Sequence, residues 1–243
     1  MTQSQNPAQR TFVLVPGAWM GAWSWHPVAQ RLRADGHRVV ALTLPGLSYG
    51  SPADGLRLTD AVDFVVREIR DRDLRDVVLV AHSWGGYPVT GAAHQLPDRV
   101  AKVIYYGAVV PAKGTSMSDE NDEYGGMIRE SIAATADRTV PIPLEAVRFG
   151  LMPEQPAALQ ELVFALTLPQ PGGYMTDALD VSPVTDAGLP AAYLLGADDR
   201  SLARPGAEFA ARLGLSPVIV PGGHMALLSQ PAEIAAAITA AAS

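Results

Sequence analysis

Two short stretches compete for one chemical role. Residues 46–50 read GLSYG, a literal G-x-S-x-G string, and residues 81–85 read AHSWG, which departs from it only by the methyl group of Ala81. The pattern describes a geometry in which a strand enters the serine, a helix leaves it, and the hydroxyl sits on a sharp, exposed turn. Flanking residues separate the two candidates. GLSYG follows the strand-like HRVVALTLP but precedes SPADG, where Pro52, Asp54 and Gly55 form turns rather than a helix. AHSWG follows DVVLV, the apolar run of a strand buried on both faces, and precedes GGYPVTGAAHQL, which can be a helix. Ser83, and not Ser48, is therefore the expected nucleophile. Ala81 is small enough for the tight turn. Pro88 fits only if the helix starts a residue or two late, because its ring otherwise presses on the carbonyl of Trp84.

A serine hydroxyl attacks only when a base takes its proton, and a carboxylate behind that base fixes its tautomer and steadies the imidazolium. Two loops that follow strands supply such groups: YLLGADD ends in Asp198 and Asp199, and VIVPGGH ends in His224. The order serine, aspartate, histidine is that of α/β hydrolases rather than of the other folds carrying this triad. Asp199 is preferred for its G-x-x-D distance from Gly196, and Asp198 stays open as the alternative. The other histidines carry blander readings: His26 at a helix start, His37 opening a strand, His94 late in a helix. His82 adjoins the nucleophile, but strand neighbours point to opposite faces, so it reads as packing. Backbone N–H groups must also meet the oxyanion of the transition state. Trp84, after the nucleophile, is one expected donor, and Ala18, in the PGAWMGAW loop after the first strand, is the other, with Gly17 giving the backbone room.

These groups need a sheet to converge on. Apolar runs alternate with amphipathic stretches, the pattern of an α/β fold with a mainly parallel sheet. Strands are expected at 12–16, 39–44, 77–81, 100–110, 189–196 and 217–221, and helices at 25–36, 58–71, 205–214 and 231–242. Thr59 is the expected cap of the second helix. Alternation stops over residues 111–187, which are rich in Pro, Gly, Met and acidic residues. That segment is expected to be a cap inserted over the carboxyl edge of a core made of residues 1–110 and 188–243.

Composition narrows the function classes. The 243 residues suit one main core. No cysteine is present, which removes disulfides, thiolate metal sites and cysteine nucleophiles. The net charge of -7, with scattered basic residues, disfavours nucleic acid. MTQSQNPAQR is polar, with no apolar signal core, and no stretch reaches the roughly 18 apolar residues of a membrane span. A cytoplasmic protein is expected, with no membrane partner.

The strings FVLVPGAWMGAWSWHPVAQRL, GHRVVALTLPG, VVLVAHSWGG and GGHMALLSQPAEIA resemble, in order and spacing, the α/β-hydrolase branch that holds small-molecule methylesterases and plant hydroxynitrile lyases. The resemblance covers the first half and last quarter of the chain well and the inserted segment loosely. It implies Ser83, Asp199 and His224 as triad, Ala18 and Trp84 as oxyanion donors, no cofactor and no metal. Such lyases carry a lysine just after the catalytic histidine and a threonine in the first loop; Met225 and Gly17 stand there instead, which is the esterase version. Pro16 and Ala81 also depart from the usual histidine and glycine. The expected activity is hydrolysis of a small, hydrophobic or aromatic ester, a methyl ester among them. Lyase or other acid–base chemistry on the same triad, and a receptor-like ligand-binding protein with slow hydrolysis, remain the alternatives. Trp19, Phe149, Met152, Phe164, Tyr174 and Met225 are candidates to line an apolar substrate pocket, with core packing an equal reading for each. The branch often forms dimers, so a homodimer is open.

Overall fold

The computed structural model describes residues 9–243, so most of the polar N-terminal stretch lies outside the described residues. In chain order the core contributes β1 (Thr11–Val15), α1 (His26–Ala34), β2 (Arg38–Ala41), α2 (Leu58–Asp71), β3 (Val77–His82), α3 (Gly86–Gln95) and β4 (Val100–Tyr106). An excursion follows with α4 (Asp122–Ala134), β5 (Thr139–Val140), α5 (Leu144–Ala146), α6 (Ala157–Leu166), β6 (Gln170–Pro171) and α7 (Gly172–Thr176). The core resumes with β7 (Ala191–Gly196), α8 (Gly206–Arg212), β8 (Val218–Val220), α9 (Ala226–Ser229) and α10 (Pro231–Ala241).

The main sheet has six strands in the order β2-β1-β3-β4-β7-β8, every neighbouring pair parallel. From β1 the chain steps outward to β2, then returns past β1 to β3 and continues the other way. The loops leaving β1 and β3 therefore diverge at their carboxyl ends, and such a switch point opens the crevice where ligands bind in α/β sheets. Strand side chains alternate between two apolar layers, as a doubly covered sheet requires. Phe12, Leu14, Val78 and Val80 pack with Val28, Leu32, Ile234 and Ile238 of α1 and α10. Val13, Val15, Val77 and Leu79 pack with Val62, Val65, Val89 and Phe209 of α2, α3 and α8.

The helix over 58–71 runs as its periodicity implies, but Thr59 does not cap it. The cap position is Arg57, whose N–H donates to Asp60 Oδ2 at 2.7 Å, and Asp177 of the excursion accepts the Leu58 N–H at 3.0 Å. A carboxylate from more than a hundred residues away thus does what a local hydroxyl was expected to do. Pro88 falls in the first turn of α3, because a tight turn over Ser83–Gly85 delays the helix to Gly86; its missing N–H costs nothing there. Among the described residues no helix is long and apolar enough to cross a membrane.

Candidate active site

Ser48 and Ser83 occupy different kinds of backbone. Ser48 is exposed in a turn closed by Ser51 N–H on its carbonyl, and the next helix begins only at Leu58. Ser83 follows β3 at once and has φ of +53°, a left-handed conformation that side-chain-bearing residues avoid unless their surroundings impose it. The surroundings do impose it. Ser83 N–H donates to the Gly107 carbonyl at 3.2 Å, and its own carbonyl accepts from Val109 N–H at 3.0 Å. A Cβ on Gly86 would lie 1.7 Å from the Val109 oxygen, and one on Gly85 would lie 2.5 Å from the Pro16 oxygen. The two glycines let the serine turn press against the β4 and β1 loops.

The β7 and β8 loops bring a second pair to the same place. His224 Nδ1 lies 2.8 Å from Asp199 Oδ2, with both side chains almost completely buried. Asp199 is fixed from behind, since its Oδ1 accepts the Ser201 N–H at 3.0 Å. Asp198 is exposed to solvent and holds its N–H on the Gly222 carbonyl; the structure brings Asp199, and not its neighbour, to the imidazole. Burial alone would raise the Asp199 carboxyl, but the adjacent His224, its hydrogen bond and the Ser201 N–H outweigh that and hold it below the usual carboxylate range. An ionised carboxylate only accepts, so the proton of this bond sits on Nδ1, the tautomer that in a neutral imidazole leaves Nε2 its lone pair.

Gly107 joins the two halves. Its carbonyl receives the serine N–H, and a Cβ on its other side would lie 2.7 Å from Asp199 Oδ2 and 3.6 Å from His224 Nδ1. Its φ of +46° and this lack of space both demand glycine. Among the described residues no hydrogen bond links Ser83 Oγ to the imidazole, a contact that in unliganded enzymes is often long and tightens with substrate. On the β1 side, Gly17 abuts the serine, its would-be Cβ lying 2.9 Å from Ser83 Cβ, and the buried Ala18 follows it. The buried Trp84 follows the serine on the other side.

Strand alternation gives the correct face for His82 but hides its partner. The ring is fully buried beside Trp25 and Tyr106, and its Nε2–H donates to the His224 carbonyl at 3.0 Å, with the two imidazole centroids 4.6 Å apart. Burial, and then the nearby His224, push it down to about 3, so it stays neutral. Neither Gly107 nor the bond from His82 to His224 is legible in the sequence, because the partners come from other loops.

The candidate pocket residues divide. Met152 and Met225 are completely buried in one apolar cluster with Met20 and Trp25. Tyr174 is also buried, its ring stacked on Trp84 at 5.1 Å between centroids and its hydroxyl donating to the Pro45 carbonyl at 3.0 Å. Trp19 is half-buried and donates its indole N–H to the Val140 carbonyl at 2.8 Å. Phe149 (78 % exposed) and Phe164 (37 %) are not brought inside. Phe149 lies on a wide helical turn whose Val147 and Leu151 take the inward positions, and α6 turns Gln160 and Val163 inward instead of Phe164. A cleft of about 480 Å³ opens beside Arg57, Arg129 and Arg138, yet its lining includes none of Ala18, Ser83, Trp84, Asp199 and His224, which lie on the loops after β1, β3, β7 and β8. Among the described residues no cluster of three His, Asp or Glu side chains is arranged to hold a metal ion.

A carbendazim-hydrolysing esterase of Nocardioides sp. (strain SG-4G) is 37 % identical over 108 residues, which is 44 % of this chain and 45 % of that protein, so the match spans less than half of either. A probable esterase of rice (Oryza sativa subsp. japonica) is 29 % identical over 92 % of this chain and 93 % of its own length. A methylesterase of Arabidopsis thaliana is 25 % identical over 82 % and 76 %. Among solved structures, an extracellular alpha/beta-hydrolase from a Paenibacillus species superposes with a TM-score of 0.89 at 23 % identity, covering 96 % of this chain and 98 % of that one, a likeness of fold. The alpha/beta hydrolase family model matches residues 12–237, nearly the whole of the described chain. With the parallel sheet, the strained serine turn and the loops that meet beside it, that match makes the chain a member of the alpha/beta hydrolase family.

Proposed function

We propose that the protein is a serine carboxylic ester hydrolase acting on small, apolar esters, methyl and aryl esters among them. The observation that carries this reading is the buried 2.8 Å contact between His224 Nδ1 and Asp199 Oδ2, set beside a serine forced to positive φ. With Nδ1 committed to the carboxylate, Nε2 is the base. It takes the Ser83 Oγ proton as the oxygen attacks the ester carbonyl. The N–H groups of Ala18 and Trp84 hold the oxyanion of the tetrahedral intermediate. Its collapse expels the alcohol, which receives the proton from His224. A water molecule, deprotonated by the same imidazole, then attacks the acyl-serine, and His224 returns that proton to Ser83 Oγ as the acid is released. Asp199 stays ionised throughout and steadies the imidazolium.

The substrate class is supported by relatives named as esterases and methylesterases. Residues 111–187 are read as the cap over this site, since Gln170 and Tyr174 meet the loops after β1 and β3. The experiment is hydrolysis of p-nitrophenyl acetate by wild type and Ser83→Ala, with circular dichroism as the control for folding. Loss of turnover with an unchanged spectrum supports the reading; retained turnover overturns it.

A further inference from the structure

One short piece of the excursion touches Trp84, proposed to hold the oxyanion, and Trp19, the residue that follows Ala18. Gln170 is completely buried, and its Oε1 accepts the Trp19 N–H at 2.8 Å. Trp19 directly follows Ala18 and has φ of +65°, a conformation disfavoured for a tryptophan and maintained only by its contacts. All three of its hydrogen bonds go to the excursion: N–H to Gln170, indole N–H to Val140 at 2.8 Å, and carbonyl from Leu168 N–H at 3.0 Å. Four residues after Gln170, Tyr174 accepts the Trp84 indole N–H on its carbonyl at 2.9 Å and stacks on that indole. The piece itself is seated on the core at Pro45, through the Tyr174 hydroxyl, and at Leu56 and Arg57. There the backbone runs so close to Gly173 that a Cβ would lie 2.3 Å from the Leu56 oxygen. On its other flank Gly172 N–H donates to the Arg138 carbonyl at 3.0 Å.

We infer that the segment Gln170–Tyr174 is a clamp that sets the oxyanion hole, with Gln170 as its principal positioning residue, so that this part of the excursion is a fixed member of the site and not a lid that opens. The chemistry follows from the atoms. Trp19 in its left-handed conformation, with its N–H held by Gln170, fixes the Ala18–Trp19 peptide and through it the course of the loop that carries the Ala18 N–H past the serine. Without the Gln170 acceptor, the Trp19 N–H is buried without a partner and the loop relaxes toward an unstrained conformation. An oxyanion donor acts only when already aimed at the developing charge, so relaxation weakens binding of the transition state more than binding of the substrate.

The inference rests on the ester-hydrolase reading, and its test separates the two. Gln170→Met keeps the length and apolar bulk of the side chain and removes the acceptor. It is expected to lower kcat for p-nitrophenyl acetate about tenfold, short of the hundredfold that losing a donor outright costs, with KM changed less than about twofold. The affinity of an aryl trifluoromethyl ketone, which adds to the serine as a tetrahedral adduct, should fall by the same factor as kcat. Unchanged kcat and ketone affinity overturn the inference, as does a rise in KM alone, which makes Gln170 a pocket wall. Should Gln170→Met fail to fold, Tyr174→Phe decides, since it loses only the hydroxyl bond that seats the segment on Pro45: a smaller loss of the same kind supports the clamp, and no loss overturns it. Ser83→Ala runs in parallel. An inactive Ser83→Ala beside an unaffected Gln170→Met removes the clamp and leaves the esterase, whereas an active Ser83→Ala removes both.

Discussion

Asp198 and Asp199 are adjacent carboxylates with opposite fates, and the difference is open to a direct test. Asp199→Asn is expected to leave the fold intact and reduce kcat about ten-thousandfold, because an amide at that position no longer enforces the Nδ1–H tautomer. Asp198→Asn, altering an exposed side chain, is expected to leave kcat unchanged; steady-state kinetics on one ester checks both. Spacing from Gly196 favours the carboxylate that meets His224 without deciding it. What decides it is Ser201, whose N–H turns the Asp199 carboxylate inward, a backbone contact that no side-chain pattern encodes. His82 gives a prediction in pH. It stays neutral in the fold down to about 3, whereas the unfolded chain protonates it near 6.5, so the unfolded state binds one more proton between these values. Stability from this residue is complete above pH 6.5 and is lost as pH falls. The lowered Asp199 acts in the same direction at lower pH, its contribution present above the ordinary carboxylate range and lost below it. Urea unfolding of wild type and His82→Gln from pH 6.5 to 4 is expected to show a steeper decline in wild type, by up to one proton; parallel declines contradict a buried neutral His82.

At the scale of elements, the serine turn depends on glycines that admit neighbouring backbone. Gly86→Ala drives a methyl group into the Val109 carbonyl and is expected to cost about 1–3 kcal/mol in thermal unfolding, with activity reduced as β3 and β4 separate. An unchanged melting temperature would mean the two loops are not in contact. This part of the molecule was the most legible in sequence. DVVLVAHSWGG carries an apolar strand, a small residue, the proposed nucleophile and two glycines in continuous order, whereas the literal motif at Ser48 lacks a following helix. Thr59 was misread for the converse reason, because the true partner of the α2 terminus, Asp177, lies far away along the chain. Phe149 and Phe164 were assigned by residue type, and type does not say which face of a short helix turns inward.

Across the whole molecule, the excursion is tied to the core by a buried charge. Glu120, 2 % exposed, accepts two bonds from Arg212 of α8, at 2.7 and 2.8 Å, one from Arg204 at 3.3 Å, and the hydroxyl of Tyr87 of α3 at 3.3 Å. Removing the carboxylate leaves a largely buried guanidinium unpaired, so Glu120→Ala is expected to destabilise the protein by about 3 kcal/mol, the low end for such pairs because Arg212 keeps some solvent contact. Chemical denaturation measures it, and a loss under about 1 kcal/mol would show that the ion pair is screened. Neither Glu120 nor Gln170 could be singled out beforehand, since residues 111–187 lack the periodicity that marks strands and long helices.

Which serine attacks is the claim on which the rest stands, and covalent labelling answers it most directly. A fluorophosphonate reacts with an activated serine and stays attached, and digestion followed by mass spectrometry locates it. The adduct is expected on the peptide containing Ser83, and to vanish in His224→Ala. An adduct on Ser48, or one on Ser83 that forms as fast without His224, would contradict the account.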